Sequence, residues 1–159
     1  MTALAHIGSR IEAAPFVASL DAALADTTSL TERVRLIRAA ITGRIAFSTS
    51  LGIEDQALLH AIAESGADID VFTLDTGRHF AETLDTIATS EARYGLRIRL
   101  VAPDAREVET LVARDGVLGF RASIEARKAC CEVRKVRPLN RALEGASAWI
   151  TGLRRGQSN

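Results

Sequence analysis

Three polar segments of this sequence carry residue types that could bind an anion or a nucleotide. The first runs from Ser48 to Asp55, where serine, threonine and glycine follow an apolar run. Backbone N–H groups are unpaired at the start of a helix, and the helix dipole is positive there, so this position suits a phosphate or a sulfate. Small residues let these N–H groups and the hydroxyl groups approach a ligand closely. The segment therefore indicates an anion site; the alternative is a hydroxyl-rich turn that only caps its helix.

The second segment is Asp75-Thr76-Gly77-Arg78, followed directly by His79. The aspartate could accept hydrogen bonds from a ribose or a base, and the arginine could pair with an anion. The alternative is that Asp75 caps the next helix while Arg78 lies on the surface. We expect His79 to line the same site.

The third segment, Gly152–Asn159, is polar and basic and follows another short apolar run. Two of its residues, Arg154 and Arg155, are the best candidates for anion binding, together with Lys135. Because lysine and arginine side chains are usually solvated, each of the three has an ordinary surface charge as its alternative interpretation.

Two adjacent cysteines, Cys130 and Cys131, lie in a strongly basic part of the sequence. Nearby cations lower the pKa of a thiol and favour the thiolate, which acts as a nucleophile or as a metal ligand. Both thiolates can reach one large cluster, but a four-iron cluster takes about four of them and this sequence contains two cysteines. The alternative is a pair of small buried residues on a helix. The neighbouring cations are Arg127, Lys128, Arg134, Lys135 and Arg137.

Length and composition limit the classes of function. The sequence has 159 residues, of which 47% are hydrophobic and 25% charged, as is typical of one globular domain. A net charge of +0 and 4% aromatic residues argue against nucleic acid as a partner. No apolar stretch approaches the roughly 20 residues of a membrane span, and charges interrupt the N-terminal region where a signal peptide would be apolar. We therefore expect a cytoplasmic protein without membrane association; homo-oligomerisation is left open.

The apolar pattern predicts alternating helices and strands. Residues 1–14 show no strong pattern and are predicted to be a loose arm. Ser29 or Thr31 is predicted to cap a helix, and Gly66 and Gly95 are predicted to end two others. The predicted elements are helix 16–24, helix 32–41, strand 45–47, helix 53–65, strand 70–74, helix 80–94, strand 97–101, a helix from 103, a mostly helical region 121–144 with a break or new start at Pro138, and strand 148–151.

This alternation predicts an α/β fold with a mostly parallel sheet. We predict two parts, an N-terminal helical arm over residues 1–43 and a nucleotide-binding α/β domain over residues 44–159. Ligands of such sheets bind beyond the carboxyl ends of the strands. Because each of the three polar segments follows a predicted strand, we expect the segments to meet at one edge of the sheet.

The same segments, in the same order, resemble the adenylylsulfate and phosphoadenylylsulfate reductases of sulfate assimilation. The resemblance runs from about Arg44 to the last residue. None of its four motifs identifies the family alone, but the four motifs in this order are specific for it. They are Ser48-Thr49-Ser50-Leu51-Gly52-Ile53-Glu54-Asp55; Leu74-Asp75-Thr76-Gly77-Arg78 with Glu82-Thr83; Cys130-Cys131 with Arg134-Lys135-Val136 and Pro138-Leu139; and Thr151-Gly152-Leu153-Arg154-Arg155-Gly156-Gln157-Ser158.

The resemblance implies an adenine-nucleotide α-hydrolase-like three-layer fold and an oxidoreductase of cysteine biosynthesis. The implied reaction is the thioredoxin-dependent reduction of adenylylsulfate, or of its 3′-phosphorylated form, to sulfite and AMP, or to adenosine 3′,5′-bisphosphate. A cysteine thiolate attacks the sulfate sulfur, the nucleotide leaves, and thioredoxin releases sulfite. By the same resemblance, Ser48 and Ser50 contact the nucleotide, and Lys135 and Arg154 hold the phosphosulfate. The substrate-binding residues implied are Ser48, Ser50, Gly52, Asp75, Thr76, Gly77, Arg78, Lys135 and Arg154.

The cysteine pair Cys130-Cys131 resembles half of the ligand set of a 4Fe–4S cluster, a mark of the members that chiefly use adenylylsulfate. The second cysteine pair and the C-terminal catalytic cysteine of the family do not follow in this sequence, which resembles the N-terminal part of the enzyme. We therefore expect no catalytic residue in this chain, weak nucleotide binding and no turnover. No residue reads the 3′ position of the substrate unambiguously.

Two other interpretations are left open. The first is an adenylating enzyme of the ATP-pyrophosphatase type, whose usual Ser-Gly-Gly-x-Asp-Ser loop differs from the segment that begins at Ser50. The second is a non-catalytic nucleotide-binding module. Pyrophosphate release from ATP would indicate the first, and nucleotide binding without any product would indicate the second.

Overall fold

The computed structural model describes the backbone of residues 5–154 and the side chains of residues 15–154. The helices are α1 (Ala5–Ala25), α2 (Leu30–Ala40), α3 (Ile53–Ser65), α4 (Ala81–Tyr94), α5 (Ala105–Asp115), α6 (Ile124–Cys131) and α7 (Arg137–Leu143). The strands are β1 (Ile45–Ser48), β2 (Asp70–Leu74), β3 (Arg99–Val101) and β4 (Ala148–Ile150). A 3₁₀ turn (Gly119–Arg121) precedes α6, and a π segment (Glu132–Val136) joins α6 to α7.

Local sequence signals set most of these boundaries. Helix α2 begins after Ser29, whose hydroxyl accepts the backbone N–H of Glu32, as predicted. Helices α3 and α4 end at Gly66 and Gly95, which adopt the left-handed conformation with φ of 66° and 64°. The predicted helices and strands from α2 to β4 are confirmed, with small shifts at their ends.

The four strands form one parallel sheet in the order β3-β2-β1-β4. Helices connect the strands in sequence, as parallel pairing requires. The predicted α/β fold with a parallel sheet is therefore confirmed. Because the strands run in one direction, their carboxyl ends share one edge of the sheet. At this edge the chain leaves β1 at Ser48, β2 at Leu74 and β4 at Ile150.

Helices cover both faces of the sheet, which gives three layers. Alternate residues of β1 point to opposite faces. Phe47 packs against α2, α3 and α4, whereas its neighbour Ala46 packs against α7. The buried residues of the first face are Val34, Phe47, Leu59, Ala61, Ile62, Val71, Ile87 and Ile98, and those of the second are Ala46, Phe72, Val101 and Ala142.

The N-terminal region differs from the prediction of a loose arm over residues 1–14. From Ala5 onward this region is helical and continuous with the predicted helix 16–24, with Pro15 inside α1. Alanine, arginine and glutamate favour a helix without any apolar stripe, which is why periodicity missed this extension. Residues 1–4 lie outside the described part of the chain. No helix between residues 5 and 154 has both the length and the apolar character needed to cross a membrane.

Pro138 causes the widened helical turn that precedes it. A proline has no N–H, and its ring collides with the carbonyl group four residues earlier, here that of Arg134. The chain responds without breaking: the N–H of Arg137 bonds to the carbonyl of Glu132, five residues back. The break or new start predicted at Pro138 is therefore a π segment within one continuous helical run, and it sets the directions of Arg134 and Lys135.

The edge of the sheet opposite the site is held by a carboxylate between two arginines. Asp70 Oδ2 lies 2.6 Å from Arg44 Nη1 and 2.6 Å from Arg99 Nη2. Burial raises the pKa of Asp70, but the hydrogen bonds and charges of Arg99 and Arg44 outweigh it and hold the pKa below its usual value. The ionised carboxylate therefore stabilises the fold above its unfolded-state pKa, and this stabilisation is lost as the pH falls through the lower folded-state pKa.

We expect Asp70→Asn to lower the free energy of unfolding at pH 7 by about 1–2 kcal/mol, because it removes charge-assisted hydrogen bonds that are partly exposed to water. The difference from wild type should shrink as the pH falls below about 4, because Asp70 then takes up a proton in the unfolded chain more readily than in the folded one. Urea unfolding at pH 7 and pH 3 measures both. Asp115→Asn, which removes the partner of the largely exposed Arg114, serves as the control and should cost less. A difference that did not change with pH would contradict this account.

Candidate functional site

A cleft of about 630 Å³ lies at the carboxyl edge of the sheet. It is bordered by the loops that leave β1, β2 and β4, and by the π segment and α7. Polar side chains from the loops face apolar ones from α7 and β4. The lining residues are Ser48, Thr49, Ser50, Glu54, Asp55, Thr73, Leu74, Thr76, His79, Lys135, Leu139, Trp149, Thr151, Gly152 and Leu153. The three polar segments of the sequence thus contribute to one cavity.

The loop between β1 and α3 is organised by Asp55, in the first turn of α3. Its side chain is buried, with 6% of the residue exposed. Asp55 Oδ2 accepts two hydrogen bonds from Ser50, one from the backbone N–H at 2.5 Å and one from the hydroxyl at 2.6 Å. The carboxylate therefore folds the loop back onto the start of its own helix.

The amide groups of this loop are mostly engaged within the protein. Thr49 N donates to the carbonyl of Phe72 at 2.8 Å, and Leu51 N donates to Thr49 Oγ1 at 3.0 Å. Gly52 N lies 3.4 Å from Ser50 Oγ. Hydroxyl and carboxylate side chains of the same loop, and one carbonyl of β2, thus take the hydrogen bonds of these loop amides. Leu51 has a φ of 65°, which a leucine rarely adopts.

Ser48 has a hydroxyl group that stays available to a ligand. Trp149 Nε1 donates to Ser48 Oγ at 2.8 Å, so the oxygen acts as an acceptor toward the indole. A hydroxyl also has one proton to donate. The proton of Ser48 can therefore be offered to a group in the cleft, whereas that of Ser50 is bonded to Asp55.

The loop after β4 packs directly on the loop after β1. A side chain at Gly152 would overlap the carboxylate of Asp55, so only glycine fits there. Two residues further on, Arg154 Nε lies 2.9 Å from Glu54 Oε1. Arg154, predicted to hold an anion, thus forms an ion pair at the rim of the cleft. Arg155 and the rest of the third segment lie outside the described residues.

The second loop is positioned by Arg134 of the π segment. Arg134 is buried, with 8% of the residue exposed, and its Nη1 donates to the carbonyl of Thr76 at 2.8 Å. Asp75 Oδ1 accepts the N–H of Gly77 at 2.8 Å and does not cap α4, whose first turn follows Phe80. Of this loop, Thr76 lines the cleft, whereas the aspartate and the glycine shape the turn behind it.

Gly77 is required for two reasons that can be separated experimentally. Its φ is 67°, and an added Cβ would lie 3.3 Å from Arg134 Nη1. Gly95 at the end of α4 has a similar φ of 64° with nothing within 4 Å of an added Cβ. We expect Gly95→Ala to lower the free energy of unfolding by about 1 kcal/mol, and Gly77→Ala to lower it further and to weaken ligand binding in the cleft. Equal stability and unchanged binding in the two variants would show that the contact with Arg134 is unimportant.

Arg78 and His79 point to different places. Arg78 donates to the carbonyl of Val117, and its guanidinium lies 4.8 Å from the centre of the Phe120 ring. It is therefore turned away from the cleft in this structure. His79 lines the cleft, and its Nε2 lies 2.9 Å from the carbonyl of Leu74.

Among the described residues that line the cleft, Lys135 is the only lysine or arginine. It projects from the π segment, and within residues 15–154 its ammonium group has no hydrogen-bond or ion-pair partner. The two carboxylates that line the same cleft have partners of their own. Asp55 accepts hydrogen bonds from Ser50, and Glu54 pairs with Arg154. An ammonium group without such a partner among the described residues, in a cleft with hydroxyl donors, suits an anionic ligand.

The two cysteines lie at the end of α6, and neither of them lines the cleft. Cys130 is half-buried beside Phe120 and Arg134, whereas Cys131 is exposed. Among the described residues no group of three or more histidine, cysteine, aspartate or glutamate side chains is arranged to hold a metal. Two thiolates do not by themselves fit a four-iron cluster, which takes about four. We therefore derive no chemical step from such a cluster.

Sequence reasoning identified much of this cavity but missed the residues that hold it together. Of the predicted substrate-binding residues, Ser48, Ser50, Thr76 and Lys135 line the cleft. The predicted residues that lie outside its lining are Gly52, Asp75, Gly77, Arg78 and Arg154. The residues missed as site residues are Asp55, Arg134, Trp149 and Gly152. The one signal that could have pointed to Trp149 is that it is the only tryptophan of the sequence.

The fold and the cleft define an α/β protein with a ligand site at the carboxyl edge of a parallel sheet. A sequence profile of the phosphoadenosine phosphosulfate reductase domain matches residues 44–159. The chain is 52% identical over 141 residues to the adenosine 5′-phosphosulfate reductase of Agrobacterium fabrum, covering 89% of this chain and 54% of that protein. It is 47% identical over 114 residues to the chloroplastic 5′-adenylylsulfate reductase 3 of Arabidopsis thaliana, covering 72% and 24%.

These similarities place the chain in the phosphoadenosine phosphosulfate reductase domain family. The chain spans about half the length of the bacterial relatives it matches, 54% and 51% for two of them. Among solved structures, the phosphoadenylyl-sulfate reductase of Candida auris, crystallised with phosphate, aligns with a TM-score of 0.70 at 22% identity, covering 88% of this chain and 69% of that one. That likeness supports the three-layer fold.

Proposed function

We propose that the cleft binds adenylylsulfate or its 3′-phosphorylated form, and that the protein takes part in its thioredoxin-dependent reduction to sulfite and a nucleotide. The observation that carries this proposal is that Ser48, Thr76 and Lys135 line one cavity and that Lys135 has no partner within residues 15–154. The family and the names of its relatives support the same substrate class.

The described residues supply binding and orientation. Hydroxyl-bearing residues at the end of β1 and the side chain of Lys135 line the same cleft. A sulfonucleotide has a neutral base and ribose at one end and an anionic phosphosulfate at the other. We propose that Lys135 holds the anionic end, assisted by Arg154 if that side chain leaves Glu54.

The chemical step needs a thiolate that attacks the sulfate sulfur with AMP as the leaving group. We assign no described cysteine to this role. The 4Fe–4S cluster also remains a proposal: Cys130 and Cys131 would supply two thiolates, and the other ligands would come from outside the described residues. Thioredoxin as reductant, a cytoplasmic location and the oligomeric state likewise remain predictions from the sequence.

The test is an anaerobic assay of the full-length gene product with reduced thioredoxin and adenylylsulfate. We expect stoichiometric release of sulfite and AMP, and no pyrophosphate from ATP. Pyrophosphate release would instead identify an adenylating enzyme, and nucleotide binding without either product would identify a binding module. The 3′-phosphorylated substrate, assayed in parallel, decides which sulfonucleotide is preferred.

A further inference from the structure

The cleft contains an aromatic side chain that has no role so far beyond its bond to Ser48. Trp149 lies on the edge strand β4, paired in register with Ala46 of β1, so it stands on the face of the sheet that α7 covers. It is 48% exposed although it lines a cavity. A large aromatic surface left open in a cleft is typical of a ligand contact.

We propose that Trp149 forms the base-binding wall of the cleft, stacking against the purine ring while its N–H orients the hydroxyl of Ser48 toward the ligand. This inference rests on the proposed nucleotide binding. Among the described lining residues, Trp149 and His79 carry aromatic rings, and His79 is held by the carbonyl of Leu74. The apolar side chains of Leu139 and Leu153 line the same cavity and suit a heteroaromatic ring better than a phosphate.

The hydrogen bond to Ser48 fixes the indole in place. Nε1 donates to Ser48 Oγ at 2.8 Å, which restrains the ring and saves the ligand the entropy of ordering it. The same bond uses an acceptor lone pair of Ser48, so the serine proton is left to donate elsewhere. Trp149 therefore acts in two ways, as a stacking surface and as a positioning residue for Ser48.

The chain offers a direct readout, because Trp149 is its only tryptophan. We expect AMP to change the intrinsic fluorescence of the wild-type protein along a saturable curve, with the same dissociation constant as calorimetry gives. Ribose 5-phosphate, which has no base, should bind more weakly and leave the fluorescence nearly unchanged. Calorimetric binding of AMP without any fluorescence change would overturn the stacking contact.

Substitution separates the two roles. Trp149→Leu should weaken AMP binding about tenfold or more, the usual effect of losing a stacked aromatic, and weaken the binding of ribose 5-phosphate much less. Trp149→Phe keeps a ring but loses the N–H, so its loss should be smaller. Ser48→Ala should cost less in the Trp149→Phe background than in wild type, because the serine is no longer oriented there. Phe80→Leu, which alters an aromatic residue that is 77% exposed and outside the cleft lining, should change nothing.

The outcomes distinguish this inference from the proposed function. If wild-type protein binds AMP but Trp149→Leu binds it equally well, the base-wall assignment fails and the nucleotide site stands. If wild-type protein does not bind AMP by calorimetry, the nucleotide site itself fails and the inference fails with it. Circular dichroism and thermal unfolding of each variant confirm that an affinity loss does not come from a lost fold.

Discussion

Replacing Lys135 with alanine is expected to weaken the binding of adenylylsulfate by about 10- to 150-fold, while adenosine binds as before. The range corresponds to roughly 1.5–3 kcal/mol, which is typical of a hydrogen bond to a charged group. The reason is that Lys135 lines the cleft and, within the described residues, its ammonium group has no hydrogen-bond or ion-pair partner. Adenosine has no anionic end, so it cannot lose this interaction. Isothermal calorimetry with the two ligands at fixed ionic strength measures the difference.

Lys128→Ala is the matched control for Lys135→Ala. Lys128 is an exposed lysine on neighbouring helix α6, and it does not line the cleft. Removing Lys128 changes the net charge by the same amount as removing Lys135. Any loss of affinity that it causes therefore reports long-range electrostatics, which salt screens. If Lys135→Ala weakened both ligands equally, the residue would be structural and the proposed anion site would be wrong.

Replacing Asp55 with alanine is expected to lower the free energy of unfolding by about 2–4 kcal/mol and to remove most nucleotide binding. The variant leaves the backbone N–H of Ser50 without its acceptor and opens a space beside Gly152. Hydrogen bonds to a charged acceptor contribute about 1.5–3 kcal/mol each, and the cost of burying the carboxylate offsets part of this. Urea unfolding measures the stability, and calorimetry with AMP measures the binding.

Two neighbouring variants test whether the effect belongs to the Asp55 carboxylate. Ser50→Ala removes only the hydroxyl bond, so it should cost less than half as much. Glu54→Ala removes the adjacent acid, whose partner Arg154 is largely exposed, and should cost less than about 1 kcal/mol. An Asp55→Ala protein as stable as the Glu54→Ala protein would show that the loop does not depend on this carboxylate.

The elements of the fold could be read largely from the sequence because their signals are local. Short apolar runs marked the strands, and Ser29, Gly66 and Gly95 marked helix ends through hydrogen bonding and backbone conformation that depend on near neighbours. The N-terminal part of α1 was missed because helix propensity alone supports it there, without an apolar stripe. The π segment was missed because proline predicts a disturbance but not how the helix absorbs it.

The location of the site was also predictable, since a parallel sheet brings the carboxyl ends of its strands together. The sequence alone therefore placed Ser48, Thr76 and Gly152 near one another, whereas Lys135 entered as a candidate cation and through the family resemblance. It could not show which groups are left for a ligand, because that depends on contacts between residues far apart in the chain. Trp149 reaches Ser48 across 101 positions, and Arg134 reaches Thr76 across 58.

What the sequence determined by itself was the order of elements, the edge of the sheet at which the cleft lies and the types of group gathered there. What only the tertiary structure decided was how each group is used. Asp55 takes up the donors of Ser50, Arg78 turns to Phe120, and Lys135 keeps its charge for the cleft. The physical reason is competition: a hydrogen-bonding group serves a ligand only when no nearer protein group has satisfied it, and nearness is a property of the folded chain.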